Sequence, residues 1–131
     1  MGTELVTNDT LRVYQSAFML NKSEEGKREC ISDIFTVALN SYCNTITGGT
    51  IGCFASEELR KAYIETMNIL RGRLDEFYLE YLRQVKQNDI NFFNTIEEEN
   101  TLKLFVEYLI LCARKEFDIE LSKLKGHTIW I

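Results

Sequence analysis

Proline is missing from this 131-residue chain, and glycine occurs only seven times. Proline breaks helix interiors, and strand-rich folds use it with glycine in their turns, so the shortage favours long helices. Long apolar runs are missing too. No run reaches the ~18 residues a membrane span needs. The longest, around Leu104 to Ala113, is interrupted by Glu107. The N-terminal MGTELVTNDT lacks the basic start and apolar stretch of a secretory signal. Basic excess is also lacking: the net charge is −5. Such a surface repels nucleic-acid phosphates and anionic membranes unless a basic patch overrides it.

Groups that carry chemistry are scarce. His127 is the only histidine, so a His-dependent triad has one candidate, placed in the C-terminal tail. No Glu-x-x-His occurs, as a carboxylate di-iron bundle needs. The glycine-rich segment TGGTIGCF, residues 47–54, precedes a helix, where phosphate loops occur. It lacks the Walker lysine and the G-x-G-x-x-G spacing, and it follows a helical pattern instead of a strand. It reads as a connection between helices. No metal or cofactor is expected, and no catalytic residues are assigned. Cys30, Cys43, Cys53 and Cys112 form no C-x-x-C pair. In a chain with a sufficient core, four scattered cysteines read as buried thiols of a reducing compartment. Cys112 as a nucleophile needs a base that lowers its pKa, and Arg114 and Lys115 point elsewhere on a helix, so it reads as a core thiol.

What is present suits one helical domain over residues 1–131. Hydrophobic content is 45% and charged content 27%, both ordinary for a globular chain. A chain of this length can bury roughly two-thirds of the surface its unfolded form exposes. Apolar residues recur at three- and four-residue steps in four segments, with breakers between them. The first runs from about Thr10 to Leu20, with Leu11, Tyr14, Ala17 and Phe18 on one face. The second starts at the N-cap candidate Ser23, with Glu24 and Glu25 suited to the helix dipole. Its stripe is Ile31, Ile34, Phe35, Ala38 and Tyr42, and it stops before Gly48. The third starts after Ser56 and runs to about Lys86, through Tyr63, Met67, Leu70, Leu74, Phe77, Tyr81 and Val85. Gly72 within it marks a bend or a close crossing. The last helix follows a capping box, Thr95 with Glu98, or starts at the rival cap Thr101. It carries Leu102, Phe105, Val106, Leu109, Ala113, Phe117, Leu121 and Leu124, and Gly126 is its C-cap candidate. The fold class expected is all-α: a compact bundle of about four main helices, with two long antiparallel helices at the C-terminal end.

The last helix is apolar beyond its main stripe. Leu104, Tyr108, Leu111, Cys112 and Ile119 leave the stripe, and Leu104 and Leu111 fall nearly opposite it at about 100° per residue. Ile64, Leu79 and Leu82 leave the stripe of the third helix in the same way. A helix apolar on all sides is normally surrounded by protein, either within its own bundle or at an interface. Four helices, two of them short, can hardly cover every face. The tail around Trp130 is apolar and is expected to pack back on the bundle. Leu104, Tyr108, Leu111, Ile119, Ile64, Leu79, Leu82 and Trp130 are therefore the candidate interaction residues.

The third helix also carries Arg60, Lys61, Arg71, Arg73, Arg83 and Lys86. Acids interleave them: Glu57 is four before Lys61, Arg71 four before Asp75, and Glu76 and Glu80 flank Arg73 and Arg83. Mixed signs at this spacing read as a solvated face with weak pairs, so nucleic acid is not the expected partner. The function expected is a non-catalytic protein–protein interaction module that regulates or inhibits a larger assembly. Its partner is a protein, it self-associates as a homo-oligomer, and it works in the cytoplasm, away from membranes. Two alternatives stay open. One is a secreted, disulfide-stapled bundle acting on a receptor, to which the Asn8 and Asn21 glycosylation triplets are suited. The other is a nucleic-acid-associated component of a larger particle.

Overall fold

A computed structural model describes residues 12–14, 16–17, 23–48, 56–84 and 96–124, with side chains from residue 101 in the last stretch. Among the described residues the fold is all-α, without strands. Four helices have defined bounds: α1 (Glu24–Thr47), α2 (Glu57–Arg71), α3 (Leu74–Gln84) and α4 (Ile96–Leu124). Residues 12–14 and 16–17 are also helical.

The helix ends follow from local chemistry. The Ser23 hydroxyl accepts from the Gly26 amide at 3.0 Å, satisfying one of the free N–H groups that open α1. Ser56 does the same for α2, accepting from the Leu59 amide at 3.1 Å. Each cap is followed by two glutamates, whose charge offsets the positive end of the helix dipole. Gly48 closes α1 at φ 67°, a left-handed conformation that glycine reaches without a Cβ clash, and its amide donates to the Asn44 carbonyl. The Thr95 cap, the Gly126 cap, His127 and the Trp130 tail lie outside the described residues.

The long third helix expected over 57–86 is corrected. It is two helices, broken at Gly72 and Arg73. The Gly72 amide still reaches the Asn68 carbonyl at 3.1 Å, but the Arg73 amide takes the Leu70 carbonyl at 3.0 Å. That bond spans three residues, tightening the turn in the 3₁₀ manner and ending α2. α3 restarts as Phe77 donates to the Arg73 carbonyl. Gly72 lies in the ordinary right-handed helical region, so the break requires no special backbone angle.

Pairs of contacts fix the helix directions. Phe77 meets Tyr108 while Tyr81, further on, meets Phe105, so α3 runs antiparallel to α4. Tyr42, late in α1, meets Phe117, late in α4. Arg71 reaches Ser32, while Asp75 pairs with Arg28, so α1 runs against the α2–α3 pair. The core between them contains Phe35, Phe77, Phe105 and Phe117, each almost fully buried. Burying such a ring contributes about 1.5–3 kcal/mol. Phe35 meets Phe77 edge-on at 5.0 Å between centroids, and Tyr81 meets Phe105 at 5.7 Å, the tilted geometry that ring quadrupoles favour.

Candidate interaction face

α4 has two apolar sides. Leu102, Phe105, Val106, Leu109, Ala113 and Phe117 point into the bundle and are fully buried. Leu104 and Leu111 stand on the opposite side, 63% and 54% exposed. Tyr108 and Ile119 join them at 38% and 42%. At about 100° per residue these four fall within an arc of about 80°, so they share one outward face about four turns long. The separation of buried and exposed positions is a consequence of sequence spacing alone. Residues 102, 105, 109 and 113 step by three and four, and so do 104, 108 and 111, half a turn away.

Charged groups border this face. On the α3 side, Arg73 pairs with Glu76 at 3.1 Å and Arg83 pairs with Glu80. Tyr108 lies between them and the core, its ring 6.1 Å from that of Phe77. Burial raises its hydroxyl pKa, and a hydrogen bond to Cys112 adds to the effect. On the α1 side, the Tyr42 hydroxyl donates to Asp118 at 2.9 Å, and the Arg114 guanidinium lies 5.0 Å from the centre of the Tyr42 ring. The result is a strip of four exposed apolar side chains, with the exposed Lys115 among them, between two polar borders.

The other candidate residues are distributed differently. Ile64 on α2 is 42% exposed and Leu79 on α3 is 63% exposed, each on its own helix. Leu82 is half-buried and packs against the core, so it does not extend the strip. Trp130 lies outside the described residues. Val37 and Ile46 on α1, and Val13 before it, are also exposed, at 54%, 47% and 65%. Val37 falls off the Ile31–Ile34–Ala38 stripe, and that phase was the available signal for it.

The basic residues of α2 and α3 are mostly engaged. Arg60 pairs with Glu57, Arg73 with Glu76 and Arg83 with Glu80, all one turn apart. Arg71 donates to the Ser32 hydroxyl at 3.3 Å instead of meeting Asp75, which pairs with Arg28 at 2.9 Å. Lys27 and Arg28 lie over the Tyr81 and Tyr78 rings at 5.7 and 4.9 Å, tying the start of α1 to α3.

The cysteines depart from four free thiols. Cys43 is held in a disulfide, whereas Cys30 and Cys112 stand outside any disulfide. The other half of the bridge lies outside the described residues. Scattered spacing carries no mark of a single bridge, because pairing depends on where the chain turns back, which periodicity does not specify. With Cys30 and Cys112 outside any disulfide, the stapled alternative has one bridge at most. Cys112 is half-buried against the core, and burial raises its pKa above the ordinary thiol value, the opposite of what activates a nucleophile. Among the described residues, no cluster of His, Cys, Asp or Glu is placed to hold a metal ion. No described helix is long and apolar enough to cross a membrane. No known family model, curated protein or solved structure matches the chain.

Proposed function

We propose that the protein is a non-catalytic interaction module that binds another polypeptide through the outer face of α4, and by doing so regulates or inhibits a larger assembly. One observation supports this reading most strongly. The helix that fills the core with Leu102, Phe105, Leu109 and Phe117 also presents Leu104, Tyr108, Leu111 and Ile119 to water. Single exposed apolar residues are ordinary on soluble proteins, but four in one strip between charged borders are characteristic of a contact surface. The acidic balance, at a net charge of −5, favours a protein partner over nucleic acid. A cytoplasmic setting accords with two cysteines, Cys30 and Cys112, that stand outside any disulfide.

The test is capture from the native host with the intact chain and with a Leu104→Glu/Leu111→Glu variant. The expected result is that the intact chain retains a protein that the variant loses, while both have the same helical content and melting temperature. Retention of the same proteins by both would overturn the proposal.

The Cys43 disulfide favours a second reading, a secreted stapled bundle acting on a receptor. Thiol titration of denatured protein purified from its source, without reductant, separates the two. Two free thiols per chain support the secreted reading, and four support the cytoplasmic one.

A further inference from the structure

We infer that the occupant of the α4 outer face is a second copy of this chain, with the two α4 helices crossing antiparallel about Leu111. The inference rests on the proposal that this face binds protein, and it names the partner. The spacing on the face is nearly symmetric about Leu111: Leu104 lies seven residues before it and Ile119 eight after. A two-fold axis at Leu111 sets the two Leu111 side chains against each other and places Leu104 of each copy level with Asp118 of the other, one residue short of Ile119. Leu111 then meets Leu111, and Leu104 lies within one residue of Ile119 across the axis, as a self-complementary two-fold interface requires.

The charges on the same face support the antiparallel direction. Glu107 lies four residues before Leu111, and Arg114 and Lys115 lie three and four after it. Antiparallel crossing sets Glu107 of each copy beside Lys115 and Arg114 of the other, giving two symmetric sets of opposite charges. Parallel packing instead opposes Glu107 to Glu107 and Lys115 to Lys115, and like charges held together are unfavourable. Among the described residues, no ion pair within the chain engages Glu107 or Lys115. Lys115 is exposed and Glu107 half-exposed, so both are available. A contact made by one helix face is small among specific interfaces, so a dimer that dissociates in the micromolar range is expected.

The experiment is light scattering coupled to size exclusion on the intact chain, from low micromolar to hundreds of micromolar, with charge and cross-linking variants. The intact chain is expected to pass from monomer to dimer across this range. Leu111→Glu weakens the dimer at least tenfold. Glu107→Lys and Lys115→Glu each weaken it several-fold, and the double swap Glu107→Lys/Lys115→Glu restores part of the loss, because the 107–115 pair is re-established across the axis while Arg114 stays beside position 107. In a Cys112→Ser background, a short thiol cross-linker joins Leu111→Cys to itself. It leaves Leu104→Cys alone unlinked, but joins Leu104→Cys to Ile119→Cys when the two are mixed.

A monomer at every concentration would overturn the inference. If Leu111→Glu then also lost a different captured protein, the face would belong to that protein and the interaction-module reading would stand. A dimer whose cross-linking bypasses Leu111 would overturn the inference by assigning self-association to another surface.

Discussion

Thr66 offers a sharp test of the packing described above. It is fully buried in α2, and its hydroxyl has no hydrogen-bond partner among the described residues. Three threonines of α1 behave otherwise. Thr36, Thr45 and Thr47 donate to the carbonyls of Ser32, Ser41 and Cys43, at 3.2, 3.0 and 2.9 Å. A buried hydroxyl without a partner costs about 1–3 kcal/mol of desolvation. Thr66→Val keeps the branched Cβ, so the rotamer restriction stays similar, and the helix propensities of Thr and Val are close. The added methyl gains up to about 0.8 kcal/mol of apolar burial. The substitution is therefore expected to stabilise the fold by about 1–2 kcal/mol, raising Tm by roughly 3–8 °C in a chain of this size. Urea unfolding followed by circular dichroism checks it: the midpoint rises and the slope stays constant. Thr36→Val, which removes a hydroxyl that is bonded, is the control and should be neutral or destabilising. If Thr66→Val lowers the midpoint, the hydroxyl has a partner and the packing of α2 on the core is misplaced.

Three further outcomes follow from the same structure. Ser56→Ala removes the cap that accepts from the Leu59 amide and should destabilise by about 1 kcal/mol in urea unfolding, whereas Ser56→Asp should retain most of the stability. Gly72→Ala should stabilise by about 0.4–1 kcal/mol by restricting the unfolded chain. A Cβ there meets only backbone oxygens at 3.4 Å or beyond, in right-handed backbone, so a loss of stability would refute this account of the break. Burial pushes the Tyr81 hydroxyl from 10.0 up to about 12, with Tyr78 and Cys30 adding to it. The unfolded chain then releases this proton first, so the stabilisation is complete below pH 10.0 and is lost as pH rises towards about 12. Tyr81→Phe should flatten the fall in Tm across that window, and an unchanged fall would refute the assignment.

The fold was largely legible because its signals are local. Ser23, Ser56 and Gly48 act within one turn of their own position, and the structure places each at the helix end that its chemistry implies. The Gly72 break was harder to locate. Leu70, Leu74, Phe77 and Tyr81 keep a heptad-like spacing through it, so the apolar pattern reads as continuous while the hydrogen bonds do not. That break also explains Leu82. Counted along one continuous helix it leaves the apolar stripe, but α3 has its own orientation, in which Leu82 packs beside buried residues. Leu104 and Leu111 were found by phase because α4 is unbroken around them. The Cys43 bridge left no periodic trace.

The two sides of α4 differ in what can account for them. Exchanging Phe105 or Leu109 for a polar residue removes buried contacts, so their apolarity is explained by folding itself. Leu104 and Leu111 lack that explanation, because the core is closed on the other side of the helix and more than half of each side chain faces water. Solubility opposes them: glutamate or lysine at either position fits a helix equally well and shields the surface. Helix propensity does not separate these choices, so propensity alone cannot account for leucine there. The proposed contact outside the monomer would account for it, and for the exposure of Tyr108 and Ile119 on the same face as well. The same logic sets Val37 and Ile46 apart. They stand on α1, away from the α4 strip, and isolated exposed apolar residues of that kind are ordinary on a folded surface.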